Sequence, residues 1–313
     1  MRTSVVICVY TEERWEDIRE AVESVESQRR RPDEIILVVD YNADLHLRLK
    51  QEYPGVTVVE NTQEKGLSGG KNTGAATASG DIVAYLDDDA VAEPGWLEAL
   101  GEGFEDPAVV GVGGLTRPLW ATGRRPGWFP REFDWTVGCS YRGMPTERAP
   151  IRNVMGGNAA FRREAVLGVG GFHTGIGRSV QGRRPRPLGC EETEFCIRLS
   201  QRTPGAVMLF EPDAVIGHKV SAVRSRFAYF RSRCYAEGLS KALVTQSVGA
   251  GDGLASERAH ALKALPLGAL RGVGEALRGD LSGFGRAGAI VIGLAWTTWG
   301  YIVGSLRLKV SKS

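Results

Sequence analysis

Four short runs near the amino terminus constrain the fold of this chain most. Ser4–Tyr10 (SVVICVY) and Glu34–Asp40 (EIILVVD) are rich in Val and Ile and show no apolar–polar alternation, the pattern of strands covered on both faces; Val56–Glu60 (VTVVE) is a third run and Asp81–Leu86 (DIVAYL) a fourth strand. Between the first two lies TEERWEDIREAVESVESQ, with Trp15, Ile18, Val22 and Val25 at helical spacing, Thr11 placed to cap and Glu12 and Glu13 in the first turn. That is a β-α-β unit. Strands alternating with helices form a mostly parallel sheet, and such sheets bind ligands outside the carboxyl ends of their strands. Asp40 and Asp87 stand at two of those ends.

Two familiar phosphate motifs fail. A dinucleotide fold needs G-x-G-x-x-G after the first strand, where this chain has VYTEER with no glycine. KGLSGGKNT approaches a P-loop, but Lys65 stands where the first glycine is required and Asn72 where Ser or Thr should hold magnesium. What remains is a glycine-rich segment leading into a helix. Lys71 and Asn72 are expected in its first turn, where N–H groups and a cation can hold an anion. Taken alone, a flexible turn explains it equally well.

The fourth run ends at Asp87, Asp88 and Asp89. In an extended strand end residues i and i+2 share a face, so Asp87 and Asp89 are expected to point into one cleft while Asp88 turns away. Two carboxylates in one cleft repel unless a cation compensates, and Mg²⁺ or Mn²⁺ takes oxygen ligands. The competing reading is a solvated acidic turn with Asp89 capping a helix near Glu93 and Pro94.

Composition excludes more than it assigns. With 39 Lys and Arg against 37 Asp and Glu, the net charge of +2 supplies no field for a nucleic-acid partner. The 5 cysteines are scattered and never spaced C-x-x-C, so neither a disulfide framework nor a zinc knuckle is expected, and a reducing compartment fits. The amino-terminal apolar run is too short, and too soon followed by acids, for a secretory signal.

The other end differs. Ala287–Leu306 is uncharged between Arg286 and Arg307, a length of about 20 residues that spans a bilayer core as a helix. Gly300 and Gly304 permit close helix packing. Trp296, Trp299 and Tyr301 sit mid-run rather than at its ends, which favours membrane association over full spanning. Arg307, Lys309 and Lys312 follow the run and suit anionic head groups on the cytoplasmic face. RSRFAYFRSRCYAEGLSKA interleaves arginines with aromatics and is expected as an amphipathic helix lying on the membrane. The basic GRSVQGRRPRP (177–187) lacks apolar periodicity and reads as a mobile loop over the site.

The second half of a site is also legible. In NVMGGNAAFRREA, Gly156 and Gly157 carry no side chains and so leave room for a bound group, and Asn158 can both donate and accept hydrogen bonds; a tight turn is the alternative. In CEETEFCIRL, Phe195 and Leu199 lie four apart on a helix with Glu191 and Glu192 at its amino end, where helix capping alone would also explain them. EPDAVIGHKV brings His218 to a strand end.

The ordered set SVVICVYTEE, ILVVD, KGLSGGKNTGAATASGDIVAYLDDD, GGNAAFRREA with GGF, and CEETEFCIRL resembles the family 2 glycosyltransferases over roughly residues 3 to 220. The resemblance implies an α/β GT-A fold, a Rossmann-like nucleotide-binding mostly parallel sheet flanked by helices, as a catalytic domain over 1–220. A helical, membrane-associating region, peripheral or single-pass, is expected over 221–313. It implies a nucleotide-diphosphate sugar donor bound by Val9, Asp40, Lys71, Asn72 and Asp87, with Gly157 and Asn158 toward the sugar and acceptor. Mg²⁺ or Mn²⁺ would sit on Asp87, Asp89 and His218. The acceptor is a hydroxyl on a cell-surface glycan, a lipid-linked sugar or a secondary metabolite, and transfer inverts the anomeric centre. The family usually has Glu-Asp where this chain has Glu191-Glu192, so Glu192 matches the general base with Glu191 as rival. That departure keeps two competitors open: a non-catalytic sugar-nucleotide-binding protein, and a nucleotidyltransferase, which would need a glycine-rich Arg/Lys signature after the first strand.

Overall fold

The computed structural model describes residues 1–177, 179–181, 184–186 and 188–310. Two compact units emerge. Unit 1 comprises Met1–Arg117, Pro145–Arg186 and Glu191–His218; unit 2 comprises Pro118–Met144, Pro187–Cys190 and Lys219–Ser313. The second unit thus takes in more of the chain than the expected 221–313.

Unit 1 runs β1 (Thr3–Val9), α1 (Trp15–Glu26), β2 (Glu34–Val39), α2 (Ala43–Glu52), β3 (Thr57–Glu60), α3 (Leu67–Thr77), β4 (Ile82–Asp87), β5 (Ala90–Ala92) and α4 (Trp96–Glu102). It continues through β6 (Val109–Trp120), β7 (Ala149–Ile151), β8 (Asn158–Arg162), α5 (Arg163–Gly168), β9 (Ser179–Gln181), β10 (Arg184–Arg186), α6 (Glu191–Arg202) and β11 (Val207–Val220). The sheet order is β3-β2-β1-β4-β8-β6-β11-β5, with β7 on β11. β3, β2, β1 and β4 are parallel, as expected; beyond them β8 pairs antiparallel with both β4 and β6, and β11 with β5.

Alternate residues of β1 explain why its sequence has no polar positions. Val5, Ile7 and Val9 join one buried cluster with Ile18, Val22 and Val25 of α1, while Val6 joins a second with Val166, Phe195 and Leu199. Both faces are covered, and burying each such side chain is worth about 1.5–3 kcal/mol. The glycines of α3 serve the same close packing: a Cβ on Gly74 would strike Val6, and one on Gly70 would meet Cys8 Sγ at 3.1 Å. Gly66, at φ +127, is the N-cap of α3, so the helix starts at Leu67. Lys71 and Asn72 therefore lie in its second turn, not the first as expected. Arg178, Gly182, Arg183 and Pro187 of the expected mobile loop lie outside the described residues; β9 and β10 within it form a two-stranded antiparallel ladder.

Unit 2 adds α7 (Phe227–Val248), the short turns α8 (Ala250–Gly253) and α9 (Ala255–Ala259), then α10 (Leu265–Leu277) and α11 (Ser282–Val310). α7 is not the surface helix expected from its arginine–aromatic pattern. Phe230, Arg233, Cys234 and Lys241 are buried, and the cations are compensated by Glu237 and by Glu257, 2.7 Å from Lys241. Phe129, Phe133 and Phe230 form an aromatic core. α7 and α11 approach at glycines, because a Cβ on Gly238 would strike the backbone of Thr297 and Tyr301, and one on Gly300 that of Tyr235. By length and composition α11 can cross a membrane, with a mean hydropathy of 1.5 over its most apolar stretch, 28% of which is buried.

His260 shows how tightly unit 2 is packed. Its Nε2–H donates to the Glu132 carbonyl at 3.1 Å, Tyr141 meets its ring edge-on, and Nδ1 is buried without a hydrogen-bond partner among the described residues. Burial holds its pKa below the usual histidine value of 6.5, against the pull of the Glu132 carbonyl. The unfolded chain therefore takes up a proton that the folded one resists, and stability falls as pH drops through the ordinary histidine range.

Two measurements check this packing. Gly238→Ala or Gly300→Ala should cost about 1–3 kcal/mol in urea unfolding through overpacking. Gly288→Ala, which meets nothing within 4 Å, should be neutral or stabilising by up to about 1 kcal/mol. The wild-type urea midpoint should fall relative to that of His260→Phe as pH drops from about 7.5 to about 5.5.

Candidate active site

The parallel register gathers the expected residues along one edge. Val9 pairs with Val39 and Cys8 with Asp87, so Val9, Asp40 and Asp87 leave the sheet together. Asp88 and Asp89 make the turn from β4 into β5, and they are only 5% and 6% exposed. A solvated acidic turn is therefore excluded, and α4 has Gly95, not Asp89, as its N-cap. β11 runs antiparallel to β5 with His218 opposite Ala90, which brings His218 Nε2 to 3.2 Å from Asp89 Oδ1. One ligand atom each from Asp87, Asp89 and His218 lies within 4.8 Å of the others. Two carboxylates and an imidazole at that spacing fit a divalent cation.

Asp88 is engaged elsewhere. Its Oδ1 lies 2.5 Å from Arg14 Nη1, which also sits 3.2 Å from Asp89 Oδ2. Burial pushes the Asp88 carboxyl up to about 7, despite Arg14, with Asp89 and Asp87 adding to the rise. Asp88 and Asp89 hold the Arg14 guanidinium firmly charged, although its own burial works against that. Sequence reading missed Arg14 because its partner lies 74 residues away. The available signal was an arginine in the acidic stretch just past the end of β1.

A second group of charges forms around α6. Cys190 takes φ +70, a left-handed conformation that non-glycine residues seldom adopt, and turns the chain into α6 at Glu191. Glu191 is buried, with Oε1 3.6 Å from the buried Lys71 Nζ. Burial pulls the Lys71 pKa down, but the charges of Glu191, Asp87 and Glu192 outweigh it and hold the ammonium above its ordinary value. Lys71 is a fixed cation between two carboxylate groups. Glu192, the next residue, is only half-buried.

Gly156 and Gly157 are needed for a different reason from the one expected. A Cβ on Gly157 would collide with the Asp87 carboxylate; one on Gly156 would meet Lys71 Nζ at 2.7 Å and Glu192 Cβ at 3.4 Å. The room left by these glycines belongs to the protein's own charged groups. Gly177, at φ +113, plays the same part over Glu191 Oε2 and Ser68 Oγ, and sequence reading did not single it out.

The two asparagines are spent inside the fold. Asn158 is fully buried; its Oδ1 accepts from Trp96 Nε1 at 2.7 Å, and its Nδ2 donates to the Leu115 and Ala214 carbonyls. It ties β8 to its neighbours instead of facing a hydroxyl. Asn72 donates to the Phe172 carbonyl at 2.9 Å and accepts from the Phe172 N–H at 2.7 Å. Asp40 accepts from Asn61 Nδ2 at 2.7 Å and from the Gly66 N–H, anchoring the start of α3 while staying half-buried at the edge.

The glucosyl-dolichyl phosphate glucuronosyltransferase of Haloferax volcanii is 37% identical over 245 residues, which span 77% of this chain and 76% of that protein. A pre-mycofactocin glycosyltransferase of Mycobacterium tuberculosis is 28% identical over 168 residues, 52% of this chain but only 32% of that protein. Among solved structures, the mannosyltransferase PcManGT from Pyrobaculum calidifontis, in complex with GDP-Man and Mn²⁺, superposes with a TM-score of 0.57 at 18% identity, over 95% of this chain and 87% of that one. GalNAc-T7 with UDP, GalNAc and Mn²⁺ gives a TM-score of 0.51 at 22% identity, over 70% and 44%. These likenesses carry the GT-A fold that the motifs implied. Residues 4–169 match the profile described as Glycosyl transferase family 2, and with the archaeal relative this places the chain in that family: it is a glycosyltransferase.

Proposed function

We propose that this glycosyltransferase moves a sugar from a nucleotide-diphosphate sugar to the hydroxyl of a lipid-linked acceptor, with inversion at the anomeric carbon, on the cytoplasmic face of a membrane. One observation supports the reading most. Lys71 and Glu192 occupy the space a Cβ on Gly156 would need, and Asp87 the space a Cβ on the adjacent Gly157 would need, so all three side chains meet one short backbone stretch. A carboxylate able to take a proton thus stands beside a cluster able to hold a metal-bound diphosphate.

The roles follow from burial and charge. Glu191 is ion-paired with Lys71 inside the fold, which suits it to holding that lysine, whereas the half-buried Glu192 can reach an acceptor. Glu192 takes the proton of the acceptor hydroxyl as its oxygen attacks the anomeric carbon and the bond to the diphosphate breaks. One in-line displacement inverts the configuration. Asp87, Asp89 and His218 would hold the cation, which when bound neutralises charge developing on the leaving diphosphate. The imidazole favours Mn²⁺ over Mg²⁺, because Mg²⁺ demands near-ideal oxygen coordination. Asp40 and Val9, at the same edge, are assigned to the nucleoside. The lipid-linked acceptor rests on the dolichyl phosphate named in the archaeal relative and on the apolar α11 with Arg307 and Lys309 in its last turn.

Two outcomes test these roles. Asp89→Asn should lower Mn²⁺-dependent turnover about 100-fold or more and abolish the rise in melting temperature that a donor nucleotide plus Mn²⁺ gives wild type. Glu192→Gln should lower kcat by about 10²–10⁴-fold while leaving donor binding intact; a Glu192→Gln enzyme with a normal rate would remove that assignment.

A further inference from the structure

The Lys71 ammonium is sealed inside unit 1. Its side chain is 3% exposed, and the groups that close it in are themselves held. Nζ lies 5.8 Å from the centre of the Tyr85 ring and 5.3 Å from that of Phe172. Asn72, the next residue, grips Phe172 by its carbonyl and its N–H, and Ser68 donates to the Ile176 carbonyl at 3.0 Å. α3 thus fastens the segment 172–176 beside its own lysine. Backbone closes another side, since a Cβ on Gly156 would meet Nζ at 2.7 Å. A cation this enclosed presents no surface to a donor phosphate.

Its charge is felt by three carboxylates all the same. Glu191 Oε1 is 3.6 Å away, and Asp87 and Glu192 act on the same ammonium. The position a Cβ would take on Gly156 is 2.7 Å from Nζ and 3.4 and 3.6 Å from Glu192 Cβ and Cγ, so the ammonium and the Glu192 side chain flank one glycine. A nearby cation favours the ionised form of a carboxylate, and that is the form able to accept a proton. Other groups around the pair leave this role to Lys71. Burial pushes the Cys8 and Cys196 thiols up to about 12 and the Tyr85 phenol well above its ordinary value, so all three stay neutral. On α6, Glu191 is buried against Lys71 and Glu194 is paired with Arg198. Arg152, which acts on Cys196 together with Glu192 and Lys71, keeps its charge at every working pH.

We propose that Lys71 is a positioning residue for sugar transfer: it keeps the Glu192 carboxylate ionised to receive the acceptor proton, and it takes no part in binding the nucleotide. The inference rests on Glu192 as the base. The test uses the full chain and whichever UDP- or GDP-sugar raises its melting temperature most in the presence of Mn²⁺. Release of UDP or GDP from that donor, with water as the acceptor, is followed against pH with donor and Mn²⁺ saturating, so that the low-pH fall in kcat reports the base and not loss of the metal. Lys71→Met alone strands Glu191 inside the fold and can impair folding, so the lysine is removed in a Glu191→Gln background. Relative to Glu191→Gln, the double variant Lys71→Met with Glu191→Gln should show the fall in kcat about one pH unit higher and regain most of the rate above it. The rise in melting temperature that UDP or GDP gives with Mn²⁺ should persist. A lysine that only fills space would lower kcat without moving its pH dependence, and that result overturns the proposal. Loss of the melting-temperature rise overturns it as well, because Lys71 then binds the nucleotide. Glu192→Gln separates this inference from the reading beneath it. If Glu192→Gln is inactive and the pH profile of the double variant has not moved, the base stands and the role of Lys71 falls; if Glu192→Gln has a normal rate, both fall.

Discussion

Like charges buried side by side must be compensated, and that constraint governs the turn from β4 into β5. Asp87, Asp88 and Asp89 leave β4 in a turn that is largely shielded from water, where carboxylates cannot rely on solvent to separate them. Arg14 takes Asp88 and one oxygen of Asp89; His218 takes the other oxygen of Asp89. Asp87 faces the buried Lys71, which is in turn held by Glu191. Each of these groups comes from a different element: Arg14 from the turn before α1, His218 from β11, Lys71 from α3 and Glu191 from α6. The sheet order is what lets all four reach one turn.

Close backbone approach makes that convergence geometrically possible. Gly70 and Gly74 let α3 lie on β1, which sinks Lys71 beneath the surface. Gly156 and Gly157 then admit Lys71 and the Asp87 carboxylate into the space side chains would have filled. Unit 2 uses the same device. Gly238 and Gly300 seat α7 on α11, while Gly268 and Gly272 seat α10 on Glu132 and α11. There the consequence is reversed, because glycines on the inner face leave the leucines of α10 on the outer one.

Much of the fold was legible before any coordinates. The unalternating runs of β1 and β2 require cover on both faces, and the helical spacing of Trp15, Ile18, Val22 and Val25 supplies it locally on one of them. The antiparallel strands were less legible: β7 and β5 are three residues long, too short for any periodicity to register. The mistaken turn assignment of Lys71 and Asn72 has a similar origin. Glycine lowers helix propensity by about 1 kcal/mol, yet at Leu67–Gly70 contact with β1 decides the conformation. The surface helix expected at α7 failed because its arginine–aromatic pattern does not reveal that Glu237 and Glu257 neutralise buried cations.

The sequence by itself determined the parallel half of the sheet, the placing of Asp87 and Asp89 together and the uncharged run that became α11, since strand alternation and helix length are local properties of the chain. Only the tertiary structure decided that Arg14 secures Asp88, that Asn72 and Asn158 serve the scaffold, and that Glu191 is tied to Lys71. The physical reason is distance along the chain. Electrostatic compensation and glycine-mediated contact join residues tens to more than a hundred positions apart, and neither leaves a periodic trace in the local sequence.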